Sequence, residues 1–181
     1  MKTTWTRVIS GILLMSLIFS ASACQREHSS DEDDNDQVVE PIDFDDFVDI
    51  MDDLGYGMYK NYAGENVDEA YYAYSEDYKY VVMVEYYDEK SDAKDEINDM
   101  IKELDEAKRD EDFEGSIKKS GKGNYKKIVV NGEFEDYVDN FYGEMYVVII
   151  RSDEMILMVF AQDTGKSYIK EVDKVVEELG Y

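Results

Sequence analysis

The chain contains a single histidine, His28, and a single cysteine, Cys24. A histidine base activates the serine or cysteine nucleophile of most hydrolytic triads, and histidine and cysteine side chains supply most ligands of zinc sites. His28 stands in a polar, acid-rich segment with nothing apolar to hold its imidazole in a fixed geometry. These observations predict no catalysis by histidine or thiol, no bound metal and no cofactor.

Carboxylates are the remaining candidates for chemistry, because the chain contains 44 aspartates and glutamates. Two carboxyl groups can act as general acid and base in the hydrolysis of a glycosidic bond. Among so many acids the spacing singles out no pair, so a hydrolase with paired carboxylates stays an alternative. The formal net charge of −25 would repel nucleic acid phosphates, and we expect no nucleic-acid partner.

The first 23 residues have the three parts of a signal peptide. Lys2 and Arg7 supply positive charge, an apolar run covers residues 8–19, and small residues precede Cys24. The run is shorter than the roughly 20 apolar residues that a membrane-spanning helix needs. We therefore predict a signal peptide that is cleaved between Ala23 and Cys24.

The residues around the cleavage point resemble the lipobox of bacterial lipoprotein precursors. Ser22 and Ala23 match the small residues that precede the cysteine of that motif. The resemblance covers residues 1–24 and implies that Cys24 carries acyl chains such as palmitate, becomes the mature N-terminus and anchors the protein in the membrane. Ala21, Ser22 and Ala23 also fit the small-x-small rule of ordinary secretory cleavage, which leaves the same first residue, so plain secretion stays open.

Residues 24–40 form a polar segment that begins with this cysteine, and five of the six residues 31–36 are acids. Too few of these residues are apolar to offset the entropy cost of ordering the chain. We predict a disordered acidic tether over 24–40, followed by a single domain over 41–181 that begins at Pro41, the only proline. Without a second cysteine no intrachain disulfide can form, so packing must stabilise the domain.

Two similar stretches organise the predicted domain. Residues 145–161 contain two apolar runs separated by the polar sequence Arg151-Ser152-Asp153-Glu154, and residues 71–87 repeat the pattern with more tyrosine. Each stretch predicts a β-hairpin, and each is followed by apolar residues at helical spacing. The fold prediction is α+β: an antiparallel sheet of about five to six strands, helices packed on one face, and an internal duplication of a strand-strand-helix unit.

Local signals predict further elements. A helix is expected over 43–54, with Asp43 as N-cap and Gly55 after its end. Residues 114–127 contain three glycines and five lysines, which predicts mostly loop. Asn131-Gly132 is typical of a two-residue turn between strands.

Tyrosine contributes 16 residues, many of them in the first hairpin. Its ring is apolar and its hydroxyl polar, a combination favoured at interfaces as well as in cores. Two interpretations stay open: burial under helices or loops, and an exposed interaction face. The residues assigned to that face are Tyr72, Tyr74, Tyr78, Tyr80 and Tyr86.

The lysines of residues 114–127 reverse the negative charge locally. As one interpretation, they belong to a solvated loop and pair with nearby acids. As the other, Lys118, Lys119 and Lys122 contact anionic lipid or wall polymer.

These patterns together predict an exported protein, held by lipid on Cys24 at the extracytoplasmic face of the cell membrane. Its expected role is non-catalytic binding of an unknown protein or other envelope partner. The alternatives are a small envelope hydrolase, which would need a concave cleft where acids converge, and an inhibitor or immunity-type protein.

Overall fold

The computed structural model describes residues 38–138 and 141–181. The predictions for the signal peptide, for cleavage before Cys24 and for most of the tether fall outside these ranges. Three helices and seven strands follow one another in the described chain. They are α1 (Phe44–Asp53), β1 (Gly57–Lys60), β2 (Val67–Tyr74), β3 (Tyr80–Tyr87), α2 (Lys90–Arg109), β4 (Phe113–Ser120), β5 (Tyr125–Val138), β6 (Phe141–Ser152), β7 (Met155–Ala161) and α3 (Lys166–Glu178).

The seven strands of the described chain form one sheet, in the order β1-β2-β3-β7-β6-β5-β4. Every neighbouring pair is antiparallel, so the predicted α+β class and antiparallel sheet are confirmed, with more strands than the five to six expected. Two meanders, β1–β3 and β4–β7, meet in the middle of the sheet. There β3 pairs with β7, and Val82 lies opposite Val159.

Two local predictions are confirmed. The hairpin expected over 145–161 consists of β6 and β7, which are joined at Asp153 and Glu154. The helix expected over 43–54 is α1, and the Asp43 carboxylate caps it by accepting a hydrogen bond of 2.9 Å from the Asp45 N–H.

The helices pack on both faces of the sheet, so the prediction of helices on one face is wrong. Phe47 of α1 and Val175 of α3 share a core with Val148; we call this side the α1/α3 face. Ile97 of α2 shares a second core with Ile149 on the opposite side, the α2 face. Side chains alternate across a strand, and a central strand covered on both faces must therefore be apolar at nearly every position.

The predicted duplication is not matched exactly. Each half of the chain does end in a hairpin followed by a helix, β2–β3–α2 and β6–β7–α3. Two copies related by a two-fold axis through the β3–β7 pair would place both helices on the same face. α2 and α3 instead lie on opposite faces, and the meanders differ, with three and four strands.

The lysine-rich stretch that was predicted as loop forms β4 and the start of β5. Gly115 of β4 lies opposite Gly132 of β5, and the Phe113 ring covers both. A Cβ on Gly115 would lie 2.4 Å from the Asn131 carbonyl oxygen and 2.8 Å from Phe113 Cζ. These glycines permit close approach inside a strand pair, which is why Asn131-Gly132 is not the predicted turn.

The described chain is fastened to the domain from Val39 onward. Asn124, in the turn between β4 and β5, donates from Nδ2 to the Val39 carbonyl oxygen at 2.7 Å. Ser152 Oγ donates to the same oxygen at 2.5 Å. Further along, the Ile42 N–H donates to the Tyr181 hydroxyl at 2.8 Å. These bonds place the point where the chain enters the domain beside the β4–β5 turn.

Candidate functional site

The path of α2 leaves one corner of the α2 face uncovered. The helix begins just after β3 ends and leads into β4 at the far edge of the sheet, so it crosses the strands diagonally. At the other end of β2, β3 and β7 lies an open concavity of about 390 Å³. We call it the aromatic groove and define it by Tyr72, Tyr74, Tyr78, Met83, Met158 and Phe160.

The register of the sheet brings these side chains together. Directly opposite residues of an antiparallel pair project from the same face. Two rows of such residues cross from β2 through β3 to β7. They are Tyr72, Met83 and Met158 in one row, and Tyr74, Val81 and Phe160 in the other.

The groove has a buried sulfur-rich floor and a more exposed tyrosine wall. Met83, Met145 and Met158 are 9%, 2% and 4% exposed, whereas Tyr72 and Tyr74 are half-buried and Tyr78 is 70% exposed. Thioether side chains are flexible and polarisable, and they make favourable contacts with aromatic rings. A floor of this kind can adapt to apolar groups of different shape.

Tyr74 lies at the centre of the tyrosine wall. Its ring centroid is 6.0 Å from those of Tyr72 and Tyr78 and 5.9 Å from that of Tyr59, in tilted or edge-on arrangements that aromatic quadrupoles favour. Burial, with a smaller contribution from the Glu85 carboxylate, raises the pKa of Tyr72. The Tyr72 hydroxyl therefore stays protonated and able to donate a hydrogen bond.

The structure does not bring the five predicted tyrosines onto one face. Tyr72 pairs with Met83 in the β2–β3 register, so the even-numbered residues of the two strands project from opposite faces. Tyr72, Tyr74 and Tyr78 line the aromatic groove, whereas Tyr80 and Tyr86 pack on the α1/α3 face.

Tyr80 and Tyr86 have structural contacts on that other face. The Tyr80 ring lies 5.7 Å from the Tyr168 ring, centroid to centroid, and so links β3 to α3. The Tyr86 hydroxyl donates to the Ile42 carbonyl oxygen at 3.0 Å. Burial, the largest cause, raises the pKa of Tyr86. Both residues are half-buried against the core of that face, so the interpretation of packing under helices applies to them.

The three predicted lysines lie around one hairpin. Lys118 and Lys119 are neighbours on the edge strand β4 and therefore project from opposite faces, and Lys122 is in the β4–β5 turn. Lys119 forms an ion pair with Asp105 of α2. The lysines are thus held by a strand pair rather than by an irregular loop.

A second concavity, of about 760 Å³, has the geometry that the hydrolase alternative requires, a cleft where acids converge. It lies at the opposite end of β3 from the aromatic groove, and its acidic lining residues are Asp43, Asp68, Glu69, Asp88, Glu89 and Glu154. A hydrogen bond from Lys60 lowers the pKa of Glu69. A general acid needs a raised pKa instead.

Within residues 38–138 and 141–181, no three histidine, cysteine, aspartate or glutamate side chains are grouped so that they could hold a metal ion.

The sequence did not indicate the floor of the aromatic groove. Met83, Met145 and Met158 each lie in an apolar strand and look like ordinary core residues. The signal that could have identified them is a count of helices: three amphipathic helices are few for a sheet that is apolar on both faces, so part of one face is left open.

The chain matches no protein-family model, no curated protein and no solved structure. Of the helices in the described part of the chain, none has the length and apolar character to cross a membrane.

Proposed function

We propose that the protein is a non-catalytic binding module of the cell envelope, exported and held on the membrane by lipid on Cys24. The aromatic groove is its binding site. The observation that carries this proposal is a floor of methionine and phenylalanine side chains that α2 does not cover, beside a tyrosine wall. Ligand sites are concave, mostly apolar and roughly 300–1,000 Å³ in volume, with a few polar groups at the edge, and the aromatic groove fits this description.

The proposed occupant is a cationic amphipathic peptide segment of a partner protein. Lys79 is the one basic side chain among the described residues that line the groove, and it forms an ion pair of 2.6 Å with Asp77. Asp163 follows the lining residue Gln162 directly. The Asp77 carboxylate compensates the charge of Lys79, so Asp163 and the net charge of −25 on the whole chain leave the surroundings of the groove attractive to basic residues.

The chemistry of the wall agrees with such an occupant. An ammonium or guanidinium group binds over the face of a tyrosine ring through the ring quadrupole. The methionine floor accepts an apolar side chain of the same segment. A peptide that alternates basic and apolar residues would use both features together.

The binding test uses the chain from residue 24 onward, which lacks tryptophan because Trp5 lies in the predicted signal peptide. Fluorescence of a single tryptophan in a lysine- and leucine-rich amphipathic peptide then reports binding alone. We expect saturable binding, and a roughly tenfold loss of affinity for Tyr74→Ala, which corresponds to about 1.4 kcal/mol. The control Tyr62→Ala alters a side chain that is 90% exposed and should bind normally.

Two results would contradict the proposal. One is equal affinity for a peptide in which glutamate replaces lysine, which would reject a cationic occupant. The other is normal binding by Tyr74→Ala and by Met158→Gln, provided that circular dichroism shows both variants to be folded.

The anchor has a separate test in bacterial cells that process lipoproteins. Cys24→Ala should move the protein from the membrane fraction to the medium or leave it unprocessed, because the acyl acceptor is lost. A processed Cys24→Ala protein that stays in the membrane fraction at the level of the unchanged protein would exclude lipid on Cys24 as the anchor.

A further inference from the structure

The hairpin of β4 and β5 gathers positive charge around its tip. Its lysines are Lys118, Lys119, Lys122, Lys126 and Lys127, and we call this set the lysine hairpin. Neighbouring residues of a strand project from opposite faces, so the charge surrounds the tip on both sides of the sheet. In a chain of net charge −25, the tip of this hairpin is a local reversal of sign.

Part of this charge is held in place by the domain itself. Lys119 pairs with Asp105, and Lys127 Nζ donates to a main-chain oxygen of Tyr181 at 3.3 Å. Lys118, by contrast, is exposed to solvent. The backbone of the hairpin is rigidly paired along its length, from Phe113 opposite Phe134 to Ser120 opposite Lys127.

The chain enters the domain at this same end. Asn124 belongs to the tip of the lysine hairpin and binds the backbone of Val39. The chain from Cys24 to Val39 cannot reach further than about 50 Å, at roughly 3.3 Å per residue. Lipid on Cys24 would therefore hold the lysine hairpin within reach of the membrane, at a distance of at most about 50 Å.

The aromatic groove lies at the other end of the strands. The Asp153 N–H, in the β6–β7 turn, donates to the Asn124 carbonyl oxygen at 2.9 Å. This bond places the β6–β7 turn at the same end of the strands as the tip of the lysine hairpin, which we call the lysine end. Tyr86 of β3 pairs with Met155, next to that turn, whereas Tyr80 pairs with Ala161 at the groove end. The length of β3, about 25 Å at roughly 3.3 Å per residue, separates the two ends.

We propose that the lysine hairpin contacts the anionic headgroups of the membrane that holds Cys24, an inference that rests on the anchor proposed above. The acids of the second concavity also lie at the lysine end of the strands, but beside β2 and β3. The lysine hairpin lies at the β4 edge of the sheet, so this edge is the part of the domain that can approach such a surface. Attraction between lysines and anionic lipid acts within a Debye length, about 8 Å at physiological salt. The contact turns the aromatic groove away from the membrane, towards partners in the envelope.

The test supplies the anchor chemically. The chain from residue 24 onward is coupled through Cys24, its only thiol, to maleimide lipid in phosphatidylcholine vesicles prepared with or without phosphatidylglycerol. An amine-reactive reagent then labels the lysines, and mass spectrometry gives the labelling rate of each one. We expect Lys118 and Lys126 to react severalfold more slowly on phosphatidylglycerol vesicles, and high salt to remove the difference.

Matched lysines provide the control within the same sample. Lys166 and Lys170 lie in the first turns of α3, which begins at the groove end of the strands, and should be labelled equally on both kinds of vesicle. The triple variant Lys119→Gln, Lys122→Gln and Lys126→Gln should abolish the effect of phosphatidylglycerol on the labelling of Lys118. The variant Lys166→Gln, Lys170→Gln and Lys174→Gln should preserve that effect.

Two outcomes would overturn the proposal. One is equal labelling of Lys118 on both kinds of vesicle at low salt. The other is slow labelling of Lys118 that is already present before coupling to lipid and is lost when Asp31, Asp33 and Asp34 are replaced by asparagine. This result would identify the acidic segment of the chain itself as the partner of the lysine hairpin. Because the anchor is artificial, neither outcome bears on lipidation of Cys24 in cells or on peptide binding in the groove.

Discussion

The hydroxyl of Tyr146 in β6 donates a hydrogen bond of 2.7 Å to Oδ1 of Asp173 in α3. Tyr146 is only 6% exposed and packs in the core of the α1/α3 face, so the bond joins a central strand to the helix that covers it. Burial and, to a smaller extent, the Asp173 carboxylate raise the pKa of Tyr146.

Tyr146→Phe removes this hydrogen bond and keeps the ring. We expect the free energy of unfolding to fall by about 1 kcal/mol, since a hydrogen bond contributes that much net and exposed Asp173 can bind water instead. Urea unfolding measures the loss. Tyr62→Phe is the control because Tyr62 is 90% exposed, and equal stability of the two variants would contradict the prediction.

Stability should decrease in alkali through Tyr181. Burial raises the pKa of its hydroxyl from an ordinary value of 10.0 to about 12. Between these values the unfolded chain releases a proton that the folded protein retains, so the unfolded state binds fewer protons and stability falls as pH rises. Below the lower value the contribution is fully present. Urea unfolding across this pH range should show a shallower decline in the free energy of unfolding for Tyr181→Phe than for the unchanged protein. Identical declines would show that Tyr181 does not cause this pH dependence.

Gly115→Ala should strongly destabilise the β4–β5 pair. The new Cβ would meet the Asn131 carbonyl oxygen at 2.4 Å, and the φ of Gly115 is 152°. We expect a loss of about 3 kcal/mol in the free energy of unfolding, the range of overpacked interiors. Gly55→Ala is the control: φ is 75° and nothing lies within 4 Å, so only backbone strain of about 1 kcal/mol applies. Equal losses of unfolding free energy for Gly115→Ala and Gly55→Ala would show that the close approach of β4 and β5 at Gly115 is unimportant.

Asn124→Ala should free the entering segment from the domain. The substitution removes the donor to the Val39 carbonyl oxygen and the acceptor for the Val39 N–H, at 2.7 and 3.4 Å. We expect a loss of about 1 kcal/mol and faster hydrogen exchange at Val39. The control is Asn98→Ala on the exposed side of α2. Unchanged exchange at Val39 would mean that the remaining bonds of the segment, with Ser152 and Tyr181, hold it without Asn124.

The central hairpin and α1 could be predicted because their signals are local. Two apolar runs flank Asp153 and Glu154, and Asp43 caps the helix that follows it. The face of the sheet on which each helix packs could not be predicted in this way. It depends on the side of the sheet to which the chain turns after each strand, and no local signal specifies that side. One signal was nevertheless present: β6 and β7 are apolar at consecutive positions, which is typical of strands covered on both faces.

The tyrosine face was predicted incompletely because it depends on register. A slip of one residue between two strands moves every side chain to the other face. Tyr72 pairs with Met83, so the even-numbered residues of β2 share a face with the odd-numbered residues of β3, and Tyr80 and Tyr86 project from the other face. Tyr78 precedes β3 in a left-handed turn conformation with a φ of 58° and joins Tyr72 and Tyr74 in the groove.

The pairing of β3 with β7 has a consequence for the order in which the protein can assemble. A ribosome completes β3 long before β7, yet the two are adjacent at the middle of the sheet. Until residues 155–161 have emerged, the nascent chain holds two incomplete meanders whose inner strands have no neighbour on that side. Premature termination before Met155 would therefore leave one chain with two unpaired strand edges that are prone to aggregate, not a smaller folded protein.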